Sequence, residues 1–204
     1  QYKKAMEGIE KYFRSVWNAK EGYLYQGSYY IKGKWINAAE NPVNGVDDDG
    51  NGFVDDWRGW NFVNNTNNPL DDDGHGTHVS GIIGAAGNNG LGTAGVMWNV
   101  KIMPLKFIGA HADGYYGLVS DEIAAIQYAI KMGAKIMNAS FGGASFSNSE
   151  QAAIASANAA GILFVAAAGN SSTNNDLVPE FPASYANPAN GGLPNIISVA
   201  ATDQ

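Results

Sequence analysis

From residue 75 onward the sequence alternates between two apolar patterns, and that alternation restricts the fold more than any other feature. Residues 100–107, 135–141, 162–168 and 196–200 are apolar runs of strand length. Residues 75–86, 119–132 and 147–160 carry helical spacing. Buried strands separated by helices of this length require βαβ crossovers, which give a parallel sheet covered on both faces. In such sheets the functional groups gather beyond the C-terminal ends of the strands. A chain of 204 residues is long enough to bury one sizeable core.

The first part of the chain reads differently. Met6, Ile9, Phe13, Val16 and Trp17 fall on one helical face, away from Lys4, Glu7, Lys11 and Arg14. This amphipathic helix either docks on its own domain or presents a surface to another chain. Residues 22–36 are rich in Tyr and Ile, and a hairpin is expected there with its tight turn at Lys32-Gly33-Lys34. Residues 1–36 are therefore set apart as an N-terminal extension from a core over 37–204. Residues 37–74 are dominated by Asn, Asp and Gly, with Pro42 and Pro69 as punctuation. A loop this long is functional, metal-ordered or both.

Charge and composition exclude several classes of function. The net charge of -7 argues against nucleic acid as the main partner and suits calcium or a basic peptide. The absence of cysteine rules out disulfides, thiolate metal sites and a cysteine nucleophile. No apolar run reaches membrane-spanning length, and no signal-type apolar core follows Gln1-Tyr2-Lys3-Lys4.

Two segments carry chemistry. Residues 71–81 pack three aspartates, two histidines and three glycines into a turn that opens a helix. His75 and His78 on its first turn suit a metal site, a structural histidine or a general base. Upstream, Asp47-Asp48-Asp49-Gly50-Asn51-Gly52-Phe53-Val54-Asp55 places oxygen-bearing side chains at alternate positions around a sharp turn at Gly52. Hard oxygen donors in a flexible loop suit Ca²⁺, with Asp47, Asp49, Asn51, Phe53 and Asp55 as candidate ligands. Arg58 stands where an EF-hand needs glutamate, so a helix-loop-helix unit is not expected; the bland alternative is a solvated acidic loop.

Gly74-His75-Gly76-Thr77-His78 resembles the histidine motif of the subtilisin-like serine proteases, the subtilases. The resemblance implies that His75 is the general base and His78 structural. Asn138-Ala139-Ser140-Phe141-Gly142-Gly143 is similar to the family's substrate-binding strand end, which implies peptide pairing at Ser140, Phe141, Gly142 and Gly143. Ala166-Ala167-Ala168-Gly169-Asn170 resembles the segment that delivers the oxyanion-hole asparagine, here Asn170. Tyr115-Tyr116-Gly117 stands where the family has an edge that pairs with extended substrate through Tyr116 and Gly117; the alternative is an ordinary aromatic loop. Asn88–Gly95 is similar to a family calcium loop, with Asn89, Leu91 and Thr93 as ligands, and Asp-rich insertions like residues 47–55 precede the histidine motif in several subtilases. Taken together, the resemblance implies a three-layer α/β/α fold with a mainly parallel sheet, truncated at its C-terminal side. It also implies an N-terminal extension that departs from the family, an extended peptide substrate, bound Ca²⁺ and a secreted or luminal setting.

Two parts of the family's machinery do not occur in the sequence. There is no D-S-G or D-T-G for the aspartate that orients the histidine; the stretch before Asn41 offers Glu21 and Glu40 and contains no aspartate. There is no G-T-S-x-[AS] for the serine nucleophile. The expectation is a serine endopeptidase domain that is incomplete and, as this chain alone, inactive. Its remaining parts would come from further pieces of the same protein or from a second chain. The alternative is a pseudoprotease acting as a structural or binding subunit.

Overall fold

A computed structural model describes residues 33–41, 44–90 and 92–202. The expected amphipathic helix and most of the expected hairpin lie outside the described residues. The chain divides into two compact units, Gln1–Gly117 and Leu118–Gln204.

In the first unit, strand β1 (Gly33–Lys34) pairs in parallel with β3 (Lys101–Ile102), and β2 (Trp60–Asn61) pairs in parallel with β4 (Leu105–Lys106). Gly33 and Lys34 are thus extended and paired, not the tight turn expected of them. The run expected as one strand over 100–107 is divided because Pro104 has no N–H to donate. Its carbonyl instead accepts from the Trp60 N–H, at 3.3 Å. Helix α1 (His75–Gly84) follows the long loop. Its last carbonyls are closed by the returning chain: Gly95, Val96 and Met97 donate to the carbonyls of Ala85, Ile82 and Ile83. A Cβ on Gly95 would stand 2.3 Å from the Ala85 nitrogen, so only glycine allows this return. Strands β5 (Ile108–His111) and β6 (Gly114–Gly117) form an antiparallel hairpin with His111 opposite Gly114.

The second unit shows the anticipated alternation. Helix α2 (Val119–Lys131), β7 (Ile136–Ala139), α3 (Asn148–Ala159), β8 (Leu163–Ala167) and β9 (Ile196–Val199) build a three-stranded parallel sheet in the order β7-β8-β9. Register pairs Met137 with Phe164 and Phe164 with Ile196, which puts all three on one face. That face packs against Ile126 of α2 and Ala153, Ile154 and Ala157 of α3, with Tyr185 and Phe181 completing the cluster. Burying one such large side chain contributes about 1.5–3 kcal/mol, so this cluster dominates the stability of the unit. Both helices stop in the same way. Gly133 and Gly161 adopt φ of +72°, a left-handed conformation that costs glycine nothing, and the chain then turns directly into β7 and β8. Ser147 caps α3 by accepting the Glu150 N–H. The strands are mainly parallel and alternate with helices, which is an α/β fold.

Candidate functional site

His75 is the first residue of α1, and the turn before it is built by Asp71. One Asp71 oxygen accepts the N–H groups of Asp73 and Gly74 at 3.0 and 2.9 Å. The other accepts the Thr77 N–H at 2.7 Å and the Thr77 hydroxyl at 2.6 Å. Partial burial raises the pKa of Asp71, but donors from Thr77, Gly74 and Asp73 outweigh it and hold the carboxyl below its usual range. Gly74 sits at φ +100° in this turn, a conformation open to glycine. Asp73 accepts the His75 N–H at 3.3 Å. The His75 side chain is exposed, and its ring has no hydrogen-bond partner among the described residues.

The third aspartate reaches the hairpin. Tyr115 donates its hydroxyl to Asp72 at 2.7 Å, and the Lys106 ammonium pairs with the same oxygen. The Lys106 side chain is 9% exposed, so Asp72 is the counter-charge of a nearly buried cation. Burial pushes the Tyr115 phenol up, and the negative Asp72 beside it pushes it further. Sequence reasoning did not foresee this bridge, which ties β6 to the segment carrying His75. Tyr116 stacks on His111 at 4.1 Å and donates to Asp113, and with Gly117 it lies exposed on β6.

The Asp-rich loop is held by Phe53, which packs edge-on against Trp60 and Phe62. Asp47 accepts the N–H groups of Asn51 and Gly52, closing the turn expected there. Asp55 accepts those of Asn44 and Gly45. The carboxylates that converge are Glu40, Asp49 and Asp56, each with one oxygen within 4.8 Å of the others. Of these, only Asp49 belongs to the ligand set drawn from the sequence; Asn51 contributes by donating its amide to both Asp49 and Asp56. Asn37 bridges the same two aspartates, at 2.9 and 2.8 Å. One Glu40 oxygen accepts the N–H groups of Asp48 and Asp49, while the other is buried without a partner among the described residues. Burial raises the Glu40 pKa, and the carboxylates of Asp56 and Asp49 add to it. An orphaned carboxylate oxygen among hard oxygen donors fits a divalent cation such as Ca²⁺. In the loop after α1, Asn89 and Thr93 are exposed and Leu91 lies outside the described residues.

In the second unit, the segment after β7 and the segment after β8 meet one side chain. Gly143 and Phe181 exchange backbone hydrogen bonds of 2.8 Å, which lays Glu180 beside Gly142. A Cβ on Gly142 would come 2.9 Å from a Glu180 carboxylate oxygen, and one on Gly169 would come 3.0 Å from the Glu180 Cγ. Ser140 accepts from the Asn138 amide, Phe141 is half-buried, and Asn170 is exposed directly after Gly169. The fold therefore brings Ser140, Phe141, Gly142, Gly143 and Asn170 to the C-terminal ends of two adjacent parallel strands.

The chain is similar to Subtilisin-like protease 1 of Plasmodium vivax, 46% identical over 126 residues that make up 62% of this chain and 20% of the relative. It is 36% identical to Thermitase of Thermoactinomyces vulgaris over 146 residues, 72% of this chain and 47% of the relative. A solved structure titled S41 Psychrophilic Protease superposes with a TM-score of 0.54 at 31% identity, covering 66% of this chain and 42% of that one. The chain thus spans about a fifth of the length of the Plasmodium relative and under half of the other two. Among the described residues no helix is long and apolar enough to cross a membrane. The sequence model of the subtilase family, Peptidase_S8, matches residues 18–204, and the chain belongs to that family.

Proposed function

We propose that these residues form part of the catalytic domain of a subtilisin-like serine endopeptidase. His75 takes the proton of a serine hydroxyl and returns it to the leaving amine, so it needs a fixed backbone and an accessible ring. The observation that carries this reading is the Asp71 turn, which fixes the first residue of α1 and leaves the imidazole exposed, with no hydrogen-bond partner among the described residues. Asn170 donates its amide to the negative oxygen of the tetrahedral intermediate. Tyr116 and Gly117 on β6 offer one edge for an extended peptide, and residues 140–143 offer another, each by strand addition. The nucleophile and the orienting aspartate come from polypeptide outside these 204 residues, consistent with the greater length of the relatives. A secreted or luminal setting fits both the family and the calcium site.

Ca²⁺ binds at Glu40, Asp49 and Asp56, where it compensates three close carboxylates and anchors the loop that leads to β2. Its role is structural. Neither Asn89, Leu91 and Thr93 nor Asp47 and Asp55 is needed for that site, and these residues remain candidates for further ions.

The test is fluorophosphonate labelling of the intact protein in its native form. Labelling that disappears in His75→Ala supports the endopeptidase. A folded native protein that takes up no label contradicts it and favours the inactive binding subunit.

A further inference from the structure

Glu180 occupies a position that the family motifs do not explain. Its side chain lies against the backbones of Gly142 and Gly169, closer than van der Waals contact to where a Cβ would be on either residue. Its backbone is fixed on both sides: the Glu180 N–H donates to the Ser184 hydroxyl at 3.0 Å, its carbonyl accepts from the Ser184 N–H at 2.8 Å, and Phe181 is bonded to Gly143. Its carboxylate has no hydrogen-bond or ion-pair partner among the described residues. Residues 118–204 contain two basic side chains, Lys131 and Lys135. Both precede β7, whereas Gly142 follows its C-terminal end, so neither is placed to neutralise Glu180.

We propose that Glu180 is the specificity-determining residue of the peptide cleft and selects lysine or arginine on the acyl side of the scissile bond. This rests on the endopeptidase reading above. Asn170 holds the carbonyl oxygen of the residue being cleaved, so the side chain of that residue enters beside Gly169. The glycines at 142 and 169 make room for the Glu180 side chain, whose carboxylate then stands at the wall of that entry. A cationic side chain entering there gains a charge-assisted hydrogen bond to a carboxylate that has no partner among the described residues. An acidic side chain meets like charge, and an apolar one gains only contact with the Glu180 stem.

The experiment uses the intact protein and four matched peptides that differ only in Lys, Arg, Leu or Glu on the acyl side of the cleaved bond. The wild type is expected to cleave the Lys and Arg peptides with kcat/KM at least about tenfold above the Leu peptide, and the Glu peptide slowest. Glu180→Gln is expected to lower kcat/KM for the Lys and Arg peptides about tenfold to a hundredfold, the range a charge-assisted hydrogen bond carries. Its turnover of the Leu peptide stays within about threefold, which also shows that the variant is folded. Glu180→Lys is expected to reverse the order between the Lys and Glu peptides. A wild type with no preference for basic residues overturns the proposal, and so does an equal loss on all four peptides in Glu180→Gln. A wild type that cleaves none of them fails the endopeptidase reading instead.

Discussion

Replacing Glu122 by glutamine should make the protein more stable at neutral pH and leave it unchanged in acid. Glu122 on α2 and Glu150 on α3 are 6% and 5% exposed, and both lie in the second unit. Tyr185 donates its hydroxyl to one Glu150 oxygen at 2.7 Å. Glu122 is hydrogen-bonded to Glu150 as well, and its own Oε1 is buried without a partner. Two buried carboxyls in contact cannot both be ionised at low cost, so one proton stays between them. Burial first, and the negative Glu150 second, push Glu122 from its ordinary 4.5 up to about 9. A raised carboxyl favours the fold only while it is protonated. Its contribution is therefore complete below about pH 4.5 and is lost as pH rises towards 9. One proton costs about 1.4 kcal/mol per pH unit, so roughly 3 kcal/mol is lost between pH 5 and pH 7. Glutamine has the same shape, donates to Glu150 through its amide and does not titrate. At about 2–4 °C per kcal/mol for a chain of this size, Glu122→Gln should raise Tm by about 5–10 °C at pH 7 and by nothing measurable at pH 4.5. Thermal melts of both proteins from pH 4.5 to 8 decide it. Parallel pH profiles, or a glutamine variant less stable at pH 7, would refute the shared proton.

The turn before His75 gives a second expectation: Asp71→Ala removes the acceptor for four donors and should cost about 2–4 kcal/mol in a denaturant titration, and Thr77→Val about 1 kcal/mol. Because the Asp71 pKa is depressed, its stabilisation is present above 3.8 and falls away as pH drops through its folded value, so Asp71→Asn should flatten the acid limb of the stability profile. Tyr115→Phe should weaken hydrolysis of long peptides that reach β6 by about tenfold while sparing short esters, since it cuts the bond that ties β6 to Asp72. Chelation should lower Tm. Added Ca²⁺ should restore it more strongly at pH 7 than at pH 4.5, because the Glu40 carboxyl, raised by burial and by Asp56 and Asp49, must ionise to hold the ion. Equal restoration at both pH values would remove Glu40 from the site.

The second unit was legible in the sequence because its elements are long and periodic. The runs at 135–141 and 162–168 contain β7 and β8, and both helices lie within the ranges expected of them. The first unit was harder to read because four of its described strands are two residues long, too short for periodicity to register. Pro104 divided one expected strand, and Gly33–Lys34 became a paired strand because its partner lies nearly seventy residues away in sequence. The same distance effect hid parts of the site. A motif search finds oxygen donors at alternate positions within one loop, so it selected Asp49 and passed over Glu40 and Asp56, which only folding brings together. Glu180 follows no motif; its significance comes from the two glycines that face it across separate strand ends.

The most direct measurement is peptide turnover by the intact protein with substitutions in each half of the proposed machinery. His75→Ala should lower kcat by about 10⁴- to 10⁶-fold and Asn170→Ala by about 10²- to 10³-fold, the losses that removing the corresponding groups causes in a subtilisin active site. Both variants should keep the wild-type Tm to within about 2 °C, since both side chains are exposed and neither ring nor amide holds a described contact. Turnover in the wild type that survives either substitution at full rate would contradict the assignment of this segment to proteolysis.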